Sequence, residues 1–282
     1  MKRRDLLSGL AAGTFAAPLL SRAAPGGTVL IQRTLDAPPR CVSLGDGRWT
    51  GFEIELSRLL CDRIGVTLQP MQEYLVWARA LKMLETGEIQ LLPNVTWREE
   101  RAKVMDFIGP CGQAEFYIVV RKENADTRFE SLDDFTIGDR IFESVSAAVI
   151  EPEFDRRLKT DPEFAAHFIG TVSAGSLQAE GLVQALGTRV ATGRVFGAIT
   201  DWFSYHALKR MAGPDLPFDP NELVGIETPL FKPATNHLTA SLHVDPGLRD
   251  DLRAAYRESR HDGTFDQIWK EWYDDRQLPG LQ

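Results

Sequence analysis

The chain has 282 residues, of which 43% are hydrophobic and 26% are charged, a composition typical of globular proteins. Its formal net charge is −8 at pH 7. Nucleic acids and anionic membranes require a basic surface, so neither is expected as a partner. The length is sufficient for two α/β units of roughly 100–130 residues each.

The first 23 residues are predicted to be an export signal. A basic start at residues 2–4 precedes an apolar run at residues 6–20, and small residues, Ser21 and Ala23, stand where a signal peptidase reads. We expect cleavage after Ala23 and no lipid anchor, because no cysteine stands there. The paired arginines followed by two leucines resemble a twin-arginine signal, and an ordinary secretory signal is the alternative.

Three cysteines occur, Cys41, Cys61 and Cys111. An oxidising compartment permits a disulfide, but an odd count leaves at least one thiol unpaired within the chain. Cys61 lies in an amphipathic helical pattern and is interpreted as a buried structural thiol, while pairing of Cys41 with Cys111 stays open. The spacing fits no zinc pattern, and no metal or other cofactor is expected.

Strand and helix patterns alternate through the first hundred residues. Residues 28–32 are predicted to be a strand, residues 35–47 a loop with a turn at its end, and residues 49–54 extended chain. Apolar residues at helical spacing then predict two amphipathic helices, each ended by a glycine, and strands follow them at residues 66–69 and 89–92. This alternation predicts an α/β unit with a parallel sheet.

The rest of the chain predicts a second α/β unit and a helical end. Residues 116–120 are rich in β-formers, and the second unit spans about residues 131–216, with a strand at residues 198–200 followed by a helix. Another strand is predicted at residues 237–243. The last helix carries an aromatic stripe that we interpret as core, formed by Phe265, Ile268, Trp269 and Trp272.

Four segments carry a family resemblance. GFEIEL at residues 51–56 opens the first helix, and NVTWREER at residues 94–101 places an arginine five residues before the Asp-Phe pair of VMDF at residues 104–107. GRVFGAITD at residues 193–201 is a strand that ends in an aspartate, and DGTF at residues 262–265 begins the last helix. In order and spacing these segments resemble the amino-acid type of bacterial periplasmic solute-binding proteins, family 3.

The resemblance implies an α/β, two-lobed periplasmic-binding-protein-like (type II) fold in which two hinge strands join the lobes. After the signal at residues 1–23, residues 24–117 and 233–282 would form one lobe and residues 118–232 the other. The ligand would lie in the cleft, at the carboxyl ends of the strands. The implied function is a monomeric periplasmic receptor that binds an amino acid or similar small carboxylate and delivers it to an inner-membrane ABC permease.

The resemblance also implies which charged side chains bind the ligand. Arg101 matches the carboxylate-binding arginine, whose planar fork fits a carboxylate with two parallel hydrogen bonds. Pairing with Glu99 or Glu100 on a surface helix is the alternative. Asp201 matches the ammonium-binding aspartate of the opposite lobe, although a helix N-cap would use the same residue.

Five further candidates follow from the resemblance. Thr96 and Asn94 stand on the signature loop where family members place polar ligand contacts, with turn and cap duties as the alternative. Trp77 matches an aromatic residue that covers the ligand, and it also lies on the apolar face of its helix. In the second lobe, Ser144 and then Ser146 match a helix start whose backbone N–H groups meet a carboxylate.

The sequence departs from the family pattern at four positions. Arg40 stands where an apolar ring is common, Arg98 where a threonine is usual, and Glu143 where a glycine is usual. Thr34 replaces the acidic residue that receptors for basic amino acids tend to carry, which argues against lysine or arginine as the ligand.

Two rival functions share the implied fold. A periplasmic dehydratase acting on cyclohexadienyl acids would need a general acid, and Glu143 is the unusual carboxylate that the alignment places near the cleft. A membrane-bound sensor is disfavoured because no transmembrane helix follows Trp272. The chain has no nucleophile elbow and no phosphate-binding glycine loop, so we predict a receptor without catalysis.

Overall fold

A computed structural model of the chain describes residues 28–34, 39–72, 75, 77–145, 150–171, 179–210 and 216–273. Its strands build two five-stranded sheets and one two-stranded hairpin. The predicted export signal and its cleavage site lie outside the described residues.

The elements up to residue 114 are, in chain order, β1 (Val29–Gln32), β2 (Val42–Gly45), β3 (Arg48–Thr50), α1 (Phe52–Arg63), β4 (Thr67–Pro70), α2 (Trp77–Thr86), β5 (Leu91–Thr96), α3 (Glu99–Ala102) and β6 (Met105–Ala114). The later elements are β7 (Phe116–Arg121), β8 (Phe142–Val145), α4 (Pro152–Thr160), α5 (Pro162–Ala165), β9 (Phe168–Thr171), α6 (Ala179–Ala191), β10 (Gly197–Asp201), α7 (Trp202–Arg210), β11 (Leu223–Ile226), β12 (Ala234–Ser241), α8 (Pro246–His261) and α9 (Thr264–Tyr273). Short 3-10 helices lie at Lys122–Asn124, Leu132–Thr136 and Pro220–Glu222.

The first sheet has the strand order β4-β1-β5-β12-β6. Strand β1 pairs in parallel with β4 and β5, as the alternating pattern predicted. Strand β12 comes from the far end of the chain and pairs antiparallel with β5 and β6, so the sheet is mixed rather than purely parallel. Helices α1, α2, α3, α8 and α9 contact this sheet or one another, and we call this unit lobe 1.

The second sheet has the order β11-β7-β10-β8-β9, and with α4 to α7 it forms lobe 2. The chain passes from the first sheet to the second between Ala114 and Phe116, and it returns between Ile226 and Ala234. Ala234 pairs with Ala114, so the start of the first crossing lies beside the end of the second.

Each sheet has its own apolar core. In lobe 1 the ring of Phe52 meets Phe265, Trp269 and Tyr273 edge-on, with centroids 5.1–5.6 Å apart. The predicted aromatic stripe is therefore core: two of its members are buried and the other two pack against the same cluster. Lobe 2 is organised around Phe135, which contacts six other phenylalanines. Burying such a side chain contributes roughly 1.5–3 kcal/mol, so each lobe has a substantial core of its own.

The loop predicted at residues 35–47 is wrong over its second half. Strands β2 and β3 pair there as an antiparallel hairpin. The turn predicted at Asp46 and Gly47 is confirmed, and both residues have positive φ. The hairpin was missed because most of its residues are exposed and lack the apolar alternation that marks a half-buried strand.

The extended chain predicted at residues 49–54 is also wrong in its second half, because α1 begins at Phe52. Gly51 causes the change of direction, with φ of 108°. A Cβ at this position would lie 2.7 Å from the carbonyl oxygen of Arg40 and 2.8 Å from Cα of Cys41. Only glycine fits this close approach of two backbone segments, which fixes Arg40 beside the start of the helix.

Strand β5 starts two residues later than predicted and runs to Thr96. The polar positions assigned to a loop, Asn94 and Thr96, therefore lie on the carboxyl end of a strand. Cys61 is buried in α1 as predicted. The other two cysteines are also buried, and no disulfide forms among the described residues.

Candidate ligand-binding cleft

Asn94 and Thr96 are joined by Asn236, a residue of β12 that sequence reasoning did not select. Thr96 Oγ1 donates a hydrogen bond to Asn236 Oδ1 at 2.8 Å, and Asn236 Nδ2 donates to Asn94 Oδ1 at 2.8 Å. Asn236 is only 4% exposed, and it stands directly opposite Thr96 in the strand pairing. The three side chains form one polar chain at the carboxyl end of β5, with the Asn94 backbone at φ of 65°.

Arg101 lies in the short helix that follows β5. Its Nη1 donates to the backbone oxygen of Thr96 at 3.0 Å, which directs the guanidinium back towards the end of the strand. The alternative partner Glu99 forms an ion pair with Lys103 instead, at 3.7 Å. Burial, together with the nearby positive charge of Arg98, lowers the pKa of Arg101 to about 10. The guanidinium stays charged at neutral pH in a site that favours an added anion.

Asp201 ends β10 in lobe 2. Its Oδ1 accepts a hydrogen bond from the backbone N–H of Ser204 at 2.8 Å, so it caps α7 as the alternative interpretation proposed. Its Oδ2 lies 3.9 Å from Nη1 of Arg40, a lobe 1 residue. Thus Oδ1 of Asp201 binds the start of a helix in its own lobe, and Oδ2 faces Arg40 of lobe 1.

Arg40 stands at the position where the family resemblance makes an apolar ring common. Its guanidinium lies 4.8 Å from the ring centroid of Phe203, and its Nε is 4.0 Å from Oε1 of Glu53. Burial acts to lower the pKa of Arg40, but the two carboxylates Asp201 and Glu53 outweigh it and raise the pKa. Burial raises the pKa of Glu53, an effect that Arg40 partly offsets. These charged groups therefore form a mutually neutralising cluster between the lobes.

Trp77 begins α2 and is half-buried. The guanidinium of Arg33, which follows β1, lies 5.4 Å from the centroid of the Trp77 rings. Arg33 also donates to the backbone oxygen of Leu75 at 3.1 Å through Nη2. The indole packs against an apolar cluster of lobe 1 that includes Leu84 and Leu92, apart from the cluster around Phe52. Trp77 therefore contacts the core on one side and the Arg33 cation on another.

Ser144 is buried near the end of β8, and Ser146 lies outside the described residues. Between Ser144 and the core residue Phe142 stands Glu143, which faces the opposite side of the sheet because strand side chains alternate. Both of its oxygens accept hydrogen bonds from Arg189 of α6, at 2.5 and 2.6 Å. The carboxylate proposed as a general acid is thus 1% exposed and paired inside lobe 2.

A second electrostatic link between the lobes involves Asp155 of α4, which sequence reasoning missed. Burial raises the pKa of Asp155, whereas a hydrogen bond from the backbone N–H of Ile150 and the charge of Arg98 lower it. Asp155 in turn acts to raise the pKa of Arg101. The charge of Asp155 in lobe 2 therefore interacts with the charges of Arg98 and Arg101 in lobe 1.

Among the described residues, no group of three or more His, Cys, Asp and Glu side chains is arranged to hold a metal ion. None of the described helices combines the length and apolarity that crossing a membrane requires.

Two α/β lobes with adjacent chain crossings, and polar side chains of both lobes meeting between them, define a two-lobed binding protein. Residues 31–275 match the family of bacterial extracellular solute-binding proteins, family 3. The match spans most of the chain, so the chain belongs to this family. The resemblance seen in the sequence motifs is confirmed.

The chain is 32% identical over 126 residues to the L-cystine-binding protein TcyJ of Escherichia coli (strain K12), which covers 43% of this chain and 46% of that protein. The chain therefore spans about half the length of the curated relatives it matches.

Solved structures resemble the whole described fold. One is from work on glutathione import via GshT and the cystine ABC importer TcyBC of Streptococcus mutans, with a TM-score of 0.68, 16% identity, and coverage of 90% of this chain and 98% of that one. Another is the ancestral amino acid-binding protein AncCDT-1, a precursor of cyclohexadienyl dehydratase, with a TM-score of 0.64, 21% identity, and coverage of 88% and 96%. The two-lobed α/β fold class is confirmed.

Proposed function

We propose that the exported chain is a receptor of an ABC transporter that binds an amino acid or similar small carboxylate between its lobes. The observation that carries the proposal is the half-buried guanidinium of Arg101, which lies at the carboxyl end of β5. Burial lowers the pKa of this guanidinium to about 10. A desolvated cation in a cleft gains most from an anion that fits its planar fork. The ligand of TcyJ, an amino acid, agrees with this class of ligand.

Arg101 would hold the ligand's carboxylate. Thr96 and Asn94 would supply hydrogen-bonding groups beside it, positioned by Asn236. Trp77 would cover the ligand from lobe 1. From lobe 2, Ser144 and Ser146 would complete the carboxylate site, with Asp201 at the opposite pole of the ligand.

The ligand would drive closure because its partners belong to different lobes. We take residues 24–117 and 233–282 as lobe 1 and residues 118–232 as lobe 2, with hinges at the two adjacent chain crossings. A ligand that contacts both lobes binds the closed form more tightly than the open form, and that difference shifts the population towards closure. The closed form would dock, as a monomer, on an inner-membrane permease.

Export to the periplasm is part of the proposal. It rests on the basic start, the apolar run and the small residues before position 24. The paired Arg3 and Arg4 ahead of two leucines favour the twin-arginine route.

A dehydratase is the second candidate, because AncCDT-1, an amino acid-binding protein with a similar fold, is a precursor of such an enzyme. Against it stands the ion pair of Glu143 with Arg189, which commits both carboxylate oxygens on the face of the sheet that α6 covers. We expect no turnover of prephenate or arogenate by the protein. Product formation that is lost in Glu143→Gln would establish the enzyme instead.

A thermal-shift screen of amino acids and small carboxylates on the protein spanning residues 24–282 tests the receptor function. A ligand that binds only the folded state raises the apparent stability, by about 2.7 kcal/mol at a hundred times its Kd. We expect at least one compound to raise Tm in the parent and not in Arg101→Ala. Arg194→Ala is the control, because Arg194 is exposed. A cleft that no compound stabilises, or a shift that survives in Arg101→Ala, contradicts the proposal.

A further inference from the structure

Arg40 is held at the cleft by its backbone as well as by its charges. Its carbonyl oxygen accepts a hydrogen bond from the backbone N–H of Glu53 at 2.8 Å, at the start of α1. Gly51 permits that approach, since a Cβ there would lie 2.7 Å from the same oxygen. The side chain is 11% exposed, and its guanidinium lies against the ring of Phe203 from lobe 2. Arg40 is therefore a fixed part of the cleft wall.

The guanidinium of Arg40 faces the oxygen that would bind an amino acid's ammonium. Asp201 has committed Oδ1 to the N–H of Ser204, and its Oδ2 lies 3.9 Å from Nη1 of Arg40. An ammonium placed within hydrogen-bonding distance of Oδ2 would lie close to a second cation. Both groups are partly shielded from water, where like charges repel each other more strongly than in solvent.

We propose that Arg40 is a specificity-determining residue that takes the place of the ligand's ammonium at Asp201, so that the cleft prefers 2-hydroxy acids to the corresponding 2-amino acids. This inference rests on the proposed receptor function and narrows its ligand class. At 3.9 Å the two charged groups are close enough to neutralise each other. Because this distance is longer than a hydrogen bond, a ligand group can still bridge them.

A hydroxyl suits that position because it is both a donor and an acceptor. It donates to Oδ2 of Asp201 and accepts from Nη1 of Arg40, while the ligand's carboxylate binds Arg101. An ammonium has three donors and no acceptor, so it cannot satisfy Arg40 and adds a repulsive charge. The discrimination thus combines a gained hydrogen bond with a like-charge penalty against the amino acid.

Matched pairs that differ only at carbon 2 test the inference by calorimetry on the protein spanning residues 24–282. Suitable pairs are lactate and alanine, malate and aspartate, 2-hydroxyglutarate and glutamate, and 3-phenyllactate and phenylalanine. We expect the hydroxy member of the best-bound pair to bind at least about tenfold more tightly. Arg40→Met should remove or invert that preference, because methionine keeps length and apolar contact but not the charge. Arg48→Met is the matched control, because Arg48 is exposed on the neighbouring hairpin.

Asp201→Asn gives a second measurement if Arg40→Met does not fold. The single side-chain oxygen of asparagine is needed by the backbone N–H of Ser204, which leaves the amide nitrogen facing Arg40. This variant should therefore lose affinity for the hydroxy acid, and parental affinity would overturn the inference. The inference is overturned if the parent binds the amino members more tightly, or if Arg40→Met keeps the parent's preference for the hydroxy members. The receptor function still stands in either case if Arg101→Ala loses binding. Absence of binding by both members of every pair overturns the inference together with the receptor function.

Discussion

Replacing Arg101 by methionine should weaken ligand binding and, at the same time, stabilise the ligand-free protein. Burial lowers the pKa of this guanidinium from its usual value near 12.5 to about 10. At about 1.4 kcal/mol for each tenfold change, the folded protein disfavours the charged side chain by roughly 3 kcal/mol. At pH 7 the group is charged in both the folded and the unfolded chain, so titration does not relieve this cost.

Part of that free energy is recovered in the parent. Water still reaches some of the half-buried side chain, and Nη1 donates to the Thr96 backbone oxygen. We therefore expect ligand-free Arg101→Met to be about 1 kcal/mol more stable than the parent, which for a protein of this size raises Tm by roughly 2–4 °C. With ligand, the loss of a buried charge pair typically costs about 2–5 kcal/mol, or about 30-fold to several thousand-fold in affinity.

Two assays read the two effects separately. Calorimetry at pH 7 with a ligand from the thermal-shift screen measures the affinity, and scanning fluorimetry without ligand measures Tm. Arg194→Met, at an exposed position, is the matched control and should change neither. Parental affinity in Arg101→Met refutes the site assignment, and a lower ligand-free Tm refutes the desolvation argument.

Three further predictions concern other parts of the chain. Asn236→Leu leaves the buried Thr96 and the half-buried Asn94 without their shared partner, so we expect the free energy of unfolding in urea to fall by about 1–3 kcal/mol and ligand binding to weaken. Parental values for both would contradict the positioning role. Burial lowers the pKa of His237, so its neutral form stabilises the fold above pH 6.5, and that contribution is lost as the pH falls below 6.5 towards the lowered pKa. His237→Phe should therefore make Tm depend less on pH between pH 7 and pH 5. An unchanged pH dependence of Tm would show that other groups dominate. Exchange of Arg3 and Arg4 for lysine should block processing of the export signal in cells, and normal processing would show that the general secretory route carries the protein.

The parts of the fold that depend on local pattern could be predicted from the sequence. The apolar spacing that gives α2 and α9 is preserved in the structure, because each helix buries one stripe against its own lobe. Gly65 and Gly87 follow the ends of α1 and α2 as predicted, and both have positive φ in the structure. The order of the four motifs led to the correct family, because motif spacing reflects the order of elements rather than any one contact.

Contacts between distant segments could not be predicted. Asn236 lies 140 residues from Thr96, and only the register of β12 on β5 brings them opposite each other. Glu143 and Arg189 are 46 residues apart, and their ion pair depends on how α6 packs on the second sheet. The start of α1 was predicted too late for the same reason, because the conformation of Gly51 depends on its close approach to the backbone of Arg40.

Charge is distributed between the lobes in a consistent direction. Arg40 of lobe 1 lies 3.9 Å from Asp201 of lobe 2, and the charge of Asp155 in lobe 2 acts to raise the pKa of Arg101 in lobe 1. The Arg40–Asp201 pair spans the two lobes, so these opposite charges favour approach of the lobes before a ligand adds its contacts. In the proposed site, an incoming ammonium would compete with Arg40 for Asp201. Selectivity in such a cleft depends on which ligand group can share these partners rather than displace them. The proposed discriminating residue is therefore Arg40, one of the four positions where the sequence departs from the family pattern.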